Sequence, residues 1–152
     1  MKLKTVNTAV TAALVLFTFW FGGQFILTPE TVAPTFGLPS WPSGDGGGFL
    51  ILKGIRDVGS GLVIGVLLLT GHRRAMAWAL LTESLIPFGD MSNILAHQGS
   101  TAAAFGVHGL TAVTMVILGL LLLRETRKTT PVPAPAPAPA SVGATTPVPA
   151  MR

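Results

Sequence analysis

Six ionisable side chains stand in stretches otherwise apolar enough to cross a membrane: Lys53, Arg56 and Asp57 in one, Glu83 and Asp90 in the next, and His108 in another. A bilayer interior supplies no water, so each charge there must be paired or face a wet cavity. In Lys53-Gly54-Ile55-Arg56-Asp57 the charges recur at spacings of three and four, which sets them near one face of a helix. Asp57 can pair with Lys53 one turn back, leaving Arg56 to reach a neighbouring helix. The group then serves either as a structural clamp or as a cradle for an anionic group.

Glu83 and Asp90 are seven residues apart, hence on nearly the same side of a helix, with Pro87 between them. Pro87 cannot donate a backbone hydrogen bond and crowds the preceding turn, so a kink is expected there. A kink beside two acids is one way to form a binding cavity. His108 has Gly106 and Gly109 close by in sequence, and Thr101, Ala104 and Thr111 roughly on its face. It either exchanges a proton and hydrogen-bonds Asp90 across the bundle, or is a satisfied structural histidine. The candidate acid/base groups are thus Asp90, His108, Glu83 and Asp57. Lys53, Arg56, Asp57, Asp90 and His108 form a ligand-binding or structural polar network. His97 reads as a loop or surface residue.

Other chemistries find little footing. With no cysteine, disulfides, thiolate catalysis and Cys-based metal sites are excluded. No H-E-x-x-H or E-x-x-H pair is present, and Lys53 and Arg56 oppose a nearby cation, so no metal site is expected. No Ser-His-acid order, cofactor fingerprint or phosphate loop stands out; Gly44 to Gly48 lacks the following lysine such a loop needs, and no cofactor is expected. The net charge of +4 comes mostly from residues beside apolar segments rather than from a basic stripe, which argues against nucleic-acid binding.

The elements that must position these residues are membrane spans. Of 152 residues, 49% are hydrophobic and 11% charged, and the mean hydropathy is +0.63, a balance that favours spans over a soluble core. Four spans are predicted at about 7–27, 49–70, 75–95 and 101–123, each near the roughly 20 residues a helix needs to cross the hydrocarbon layer. The third is interrupted by Glu83, Pro87 and Asp90. The expected fold is an all-α, polytopic integral membrane four-helix bundle over residues 1–128, followed by a disordered Pro/Ala-rich cytoplasmic tail at 129–152. Within span two, Gly61-x-x-x-Gly65, with Gly54 near the same stripe, predicts a close helix contact.

Lys2 and Lys4 precede span one, Arg73 and Arg74 follow span two, and Arg124, Arg127 and Lys128 follow span four, whereas the 28–48 loop has no Lys or Arg. The positive-inside rule then places both termini in the cytoplasm and that loop outside, in a plasma or inner membrane. Span one is read as retained rather than cleaved, since Thr28-Pro29 offers no small-x-small site. In this orientation Asp57 lies about 12 Å below the outer edge, with His108 at similar depth. Lys53, Arg56, Asp57, Asp90 and His108 gather in the outer half, and Glu83 lies below them. The 28–48 loop, dense in proline and glycine, favours turns over a regular element. Phe36, Leu38 and Trp41 either fold it down as a cap or leave it exposed.

The ordered blocks Lys53-Gly54-Ile55-Arg56-Asp57, Gly71-His72-Arg73-Arg74, Pro87-Phe88-Gly89-Asp90 and His108-Gly109 resemble the signature of domain-of-unknown-function family 4267 (DUF4267), a group of small four-span membrane proteins, over roughly residues 5–125. The resemblance implies that architecture and marks Lys53, Arg56, Asp57, Asp90 and His108 as its important positions. It implies no reaction. Three functions stay open: a non-enzymatic membrane component whose charges hold helices together or bind a small lipophilic ligand; an acid/base isomerase or cyclase acting on a lipophilic substrate; and a proton-coupled transporter or channel subunit. Expected partners are membrane lipid, a lipophilic small molecule, and a second copy or a membrane-complex subunit.

Overall fold

The computed structural model describes residues 3–127, which contain helices and no strand. Helix α1 is Leu3–Leu27, α2 Pro29–Phe36, α3 Gly48–Leu69, α4 Arg73–Glu83, α5 Leu85–Ala96 and α6 Thr101–Arg127. The tail expected at 129–152 lies outside the described residues.

Among the described residues, α1 and α6 are long and apolar enough to cross a membrane. Helix α3 has the length, 22 residues, but carries Lys53, Arg56 and Asp57. The third predicted span is divided into α4 and α5, of 11 and 12 residues, with Ser84 between them. Pro87 accounts for the break. Its missing N–H leaves the Glu83 carbonyl without a partner from the next turn, and the regular ladder lapses there. Ser84 keeps a helical backbone, and its hydroxyl donates to the Leu81 carbonyl at 2.7 Å.

The 28–48 segment departs from the expectation of turns alone. Residues Pro29–Phe36 form a helix: Pro29 occupies the first turn, where its fixed φ suits the helix and no N–H is needed, whereas Pro34 lies inside the helix and only withholds one hydrogen bond near its end. Glu30 complements the positive end of the helix dipole, and Gly37, at φ +102°, ends the helix in the left-handed conformation. Proline density signals a break inside a helix and a beginning at its start. A short 3-10 turn at Gly44–Gly47 then leads into α3.

Helix α1 packs along α3, and α4 along α6. A Cβ on Gly54 would lie 2.6 Å from the Gly22 carbonyl oxygen, and one on Gly22 2.8 Å from the Gly54 carbonyl oxygen, so the missing side chains let the two backbones meet. Gly61 faces Thr18 and Phe19, extending the contact expected from the glycine stripe. Between the two helix pairs lies an apolar core of Val15, Ile64, Met76, Leu80, Met115 and Leu122. Helix α2 folds over one end, where Phe25, Ala33 and Leu50 are buried. The Gly37 carbonyl there accepts from the Ser100 N–H at 2.8 Å, which ties the cap to the start of α6.

Candidate functional site

Under that cap the charged residues meet. Lys53 Nζ donates to Asp57 Oδ2 at 2.5 Å, the pairing of adjacent turns that the spacing predicts. Arg56 Nη2 donates to Asp57 Oδ1 at 3.1 Å and to Asp90 Oδ2 at 3.5 Å, reaching from α3 to α5. His108 Nδ1 lies 3.6 Å from the same Asp90 oxygen. A chain of charge contacts thus runs from Lys53 through Asp57, Arg56 and Asp90 to His108, spanning α3, α5 and α6. Two cations face two carboxylates in it, so the chain is balanced before His108 is counted.

Local structure sets each of these side chains. Within α6, residues Ala104–Gly109 form a π turn, and the Leu110 N–H bonds the Phe105 carbonyl five residues back. Such a turn holds one extra residue and rotates the side chains that follow it relative to those before. His108 is in this turn and is 4% exposed. Its Nε2 lies 3.1 Å from the Phe36 carbonyl oxygen. A carbonyl only accepts, so Nε2 carries the hydrogen and Nδ1 is the atom presented to Asp90. The Phe36 ring meets the imidazole edge-on, with centroids 4.8 Å apart.

Three phenylalanines surround the lysine, of which only Phe36 is named from the sequence, and as a cap residue rather than a partner of Lys53. Lys53 Nζ is 4.4 Å from the Phe25 ring centroid, 4.7 Å from that of Phe21 and 5.2 Å from that of Phe36. Their electron-rich faces partly replace the water the ammonium has lost. The available signal was the four-residue spacing of Phe17, Phe21 and Phe25 on one face of α1; nothing local tied that stripe to a lysine in another helix.

A cavity of about 80 Å³ opens beside the charge chain, between the α1/α3 pair and the other helices. Lys53, Asp57, Glu83, Asp90 and His108 line its polar part, and Phe17, Ile64, Ile86 and Met115 are among its apolar walls. Glu83, at the end of α4, sits in this wall with Ser60 beside it. All four candidate acid/base residues therefore border one space, whereas Arg56 is not part of its lining. His97 is apart and exposed, with Nδ1 2.9 Å from the Asn93 carbonyl oxygen. No group of three or more His, Asp or Glu able to hold a metal occurs among the described residues.

A second polar assembly, at the other end of the bundle, was also missed. Arg73 Nε lies 2.8 Å from Glu125 Oε1, and its Nη2 donates to Glu125 Oε2 at 3.0 Å. Asn7 Nδ2 donates to the same oxygen at 3.0 Å. In the sequence Arg73 stands as a topology charge and as part of the Gly71-His72-Arg73-Arg74 block, with nothing to tie it to Glu125, and a lone Asn near a helix start carries no signal of its partner.

No curated protein and no solved structure matches the chain. A family model described as a domain of unknown function matches residues 15–122, a stretch that holds the whole Lys53-to-His108 chain but neither Asn7 nor Glu125. By that match, which covers well over half of its length, the chain belongs to the DUF4267 family.

Proposed function

We propose that the protein is a four-span integral membrane protein whose capped polar cluster receives the head of a lipophilic small molecule. Residues 1–128 would be the membrane domain, with both termini on the cytoplasmic side of a plasma or inner membrane and 129–152 a cytoplasmic tail. Supporting the membrane reading is an apolar surface around a core that also holds polar side chains. Asn7, Thr11, Ser84 and His108 are buried, while Leu16, Trp20, Leu62, Phe88, Leu110 and Leu120 are each more than half exposed. Helices α4 and α5, laid nearly end to end, would make the third span.

The observation that carries the ligand reading is the cavity that borders Lys53, Asp57, Glu83, Asp90 and His108. Its volume selects the kind of ligand. About 80 Å³ exceeds the roughly 10–15 Å³ one water needs, but falls short of the ~300–1,000 Å³ that encloses a drug-sized molecule. A compact polar head fits, its apolar remainder lying along the walls or in lipid. Helices α3 and α5 share no extended packing, and the Arg56–Asp90 contact crosses that seam, which gives an apolar chain a lateral way out.

An acid/base role is the second reading, and the His108–Asp90 pair favours it. With its hydrogen on Nε2, a neutral imidazole would present a lone pair to a carboxylate; one proton between them turns that opposition into attraction. That proton is available to a bound head, and Glu83, which lines the same cavity, can take one in return, the balance an isomerisation needs.

The reading is tested by native mass spectrometry of full-length protein extracted from its own membrane. A lipophilic adduct on the wild type, lost in Ser60→Leu, which fills the cavity without removing a charge, supports it. An adduct-free wild type, or one whose adduct survives in Ser60→Leu, contradicts it.

A further inference from the structure

At the end of the bundle away from the cap lies an open basin of about 490 Å³, lined by Lys4, His72, Arg73, Arg74, Glu125 and Thr126. Three elements meet there: the start of α1, the turn from α3 into α4, and the end of α6. Arg73 and Glu125 are spent on each other, and Arg73 Nη1 also donates to Thr8 Oγ1 at 3.1 Å. Together they form a fixed floor. Burial pushes the Glu125 carboxyl up, but hydrogen bonds from Arg73 and Asn7 and the charges of Arg73 and Lys4 outweigh it and hold Glu125 below the usual glutamate range. It is therefore ionised at neutral pH.

Lys4, Arg73 and Arg74 against Glu125 leave the lining with a surplus of two positive charges before His72 is counted. Among the described residues, the Lys4 ammonium and the Arg74 guanidinium have no hydrogen bond or ion pair, and both side chains are exposed. The basin falls within the roughly 300–1,000 Å³ range of small-molecule sites, large enough for a phosphorylated headgroup and far larger than a single ion requires. A planar guanidinium from α4 and a flexible ammonium from α1, both in one lining, are suited to phosphate oxygens.

We propose that this basin binds a phosphate ester carried on a small polar head, with Lys4 and Arg74 as its charge partners and the Arg73–Glu125 pair as its floor. The site is separate from the capped cavity. Only the source of the ester depends on the membrane reading: in a four-span protein the basin opens at the cytoplasmic interface, where an anionic lipid presents this group. A soluble phosphate monoester carries the same chemistry.

The test uses full-length protein in neutral detergent, titrated with phosphatidic acid, phosphatidylcholine and glycerol 3-phosphate. Phosphatidic acid is expected to bind about tenfold more tightly than phosphatidylcholine, and K4Q/R74Q to abolish that preference. Arg124→Gln and Arg127→Gln, which alter cations outside the lining, should keep it, and so should Ser60→Leu in the other cavity. Competition by glycerol 3-phosphate identifies a soluble ester as a sufficient ligand; phosphatidic acid binding without such competition identifies lipid. The proposal is overturned if neither phosphatidic acid preference nor glycerol 3-phosphate binding is seen. It is also overturned if K4Q/R74Q retains the preference, or if the Arg124 and Arg127 variants lose it equally, since diffuse surface charge would then explain the effect.

Discussion

The His108 imidazole donates from Nε2 to the carbonyl oxygen of Phe36 at 3.1 Å, joining the π turn of α6 to the last residue of α2. One bond thereby does two things. It secures the cap on the bundle, and it turns the other ring nitrogen toward Asp90. The charge chain and the cap are consequently parts of one structure.

Removing that bond should loosen both. His108→Ala leaves the Phe36 carbonyl without its donor and a gap beside the Phe36 ring, at a cost of about 2–4 kcal/mol. His108→Gln, which keeps a donor, should recover part of the loss. Thermal unfolding of the detergent-solubilised variants gives the ranking wild type, Gln, Ala; equal stability of Ala and wild type would show that the bond contributes nothing.

The glycines of α3 should separate sharply by position. In Gly54→Ala the new Cβ meets the Gly22 carbonyl oxygen at 2.6 Å and Ile26 Cγ1 at 2.8 Å, so α1 and α3 must part, at about 1–3 kcal/mol. Gly59→Ala meets nothing within 4 Å and should gain about 0.5–1 kcal/mol from helix propensity. Opposite shifts in unfolding temperature are expected for two substitutions of identical chemistry in one helix.

These examples show what the sequence made legible. Spacing alone put Lys53 and Asp57 one turn apart, and the glycine stripe marked the face of α3 that meets α1, because both patterns are written within a single helix. The break between α4 and α5 followed from the one N–H that Pro87 lacks. Partners contributed by distant segments were hidden. Phe21 and Phe25 meet Lys53 only where α1 packs on α3, and Phe36 only after α2 folds over; α2 itself is obscured by reading Pro29 as a breaker rather than a start. The Asn7–Glu125 bond joins residues 118 positions apart and leaves no periodic trace.

The Arg56–Asp90 contact should show measurable but modest coupling. Arg56 is 43% exposed, so solvent screens much of the attraction, and a double-mutant cycle of Arg56→Gln and Asp90→Asn should give about 1 kcal/mol. Each single variant should destabilise more than that coupling, because Lys53, Asp57 and His108 lose their charge balance as well. Strict additivity would mean that the two side chains do not interact.

At the other end, Glu125 makes a prediction about acid. Its folded-state pKa lies below the ordinary value of 4.5, so its contribution to stability is complete above that value and is lost as the pH falls through the folded pKa. Stability should therefore decline below about pH 4.5, and Glu125→Gln should make that part of the profile shallower while lowering stability at pH 7. The measurement is unfolding temperature against pH for both proteins. Parallel profiles below pH 4.5 would remove Glu125 from the account.

The capped cavity is tested most directly by a high-resolution density map of the full-length protein in a lipid bilayer. Four membrane-crossing segments are expected, with continuous non-protein density beside Asp90 and His108, a polar head within hydrogen-bond distance of one of them and an apolar extension along the cavity wall or through the α3–α5 seam. A map in which the cavity is closed by side chains, or holds only isolated water peaks, would contradict the ligand reading and leave the charge chain as a helix clamp.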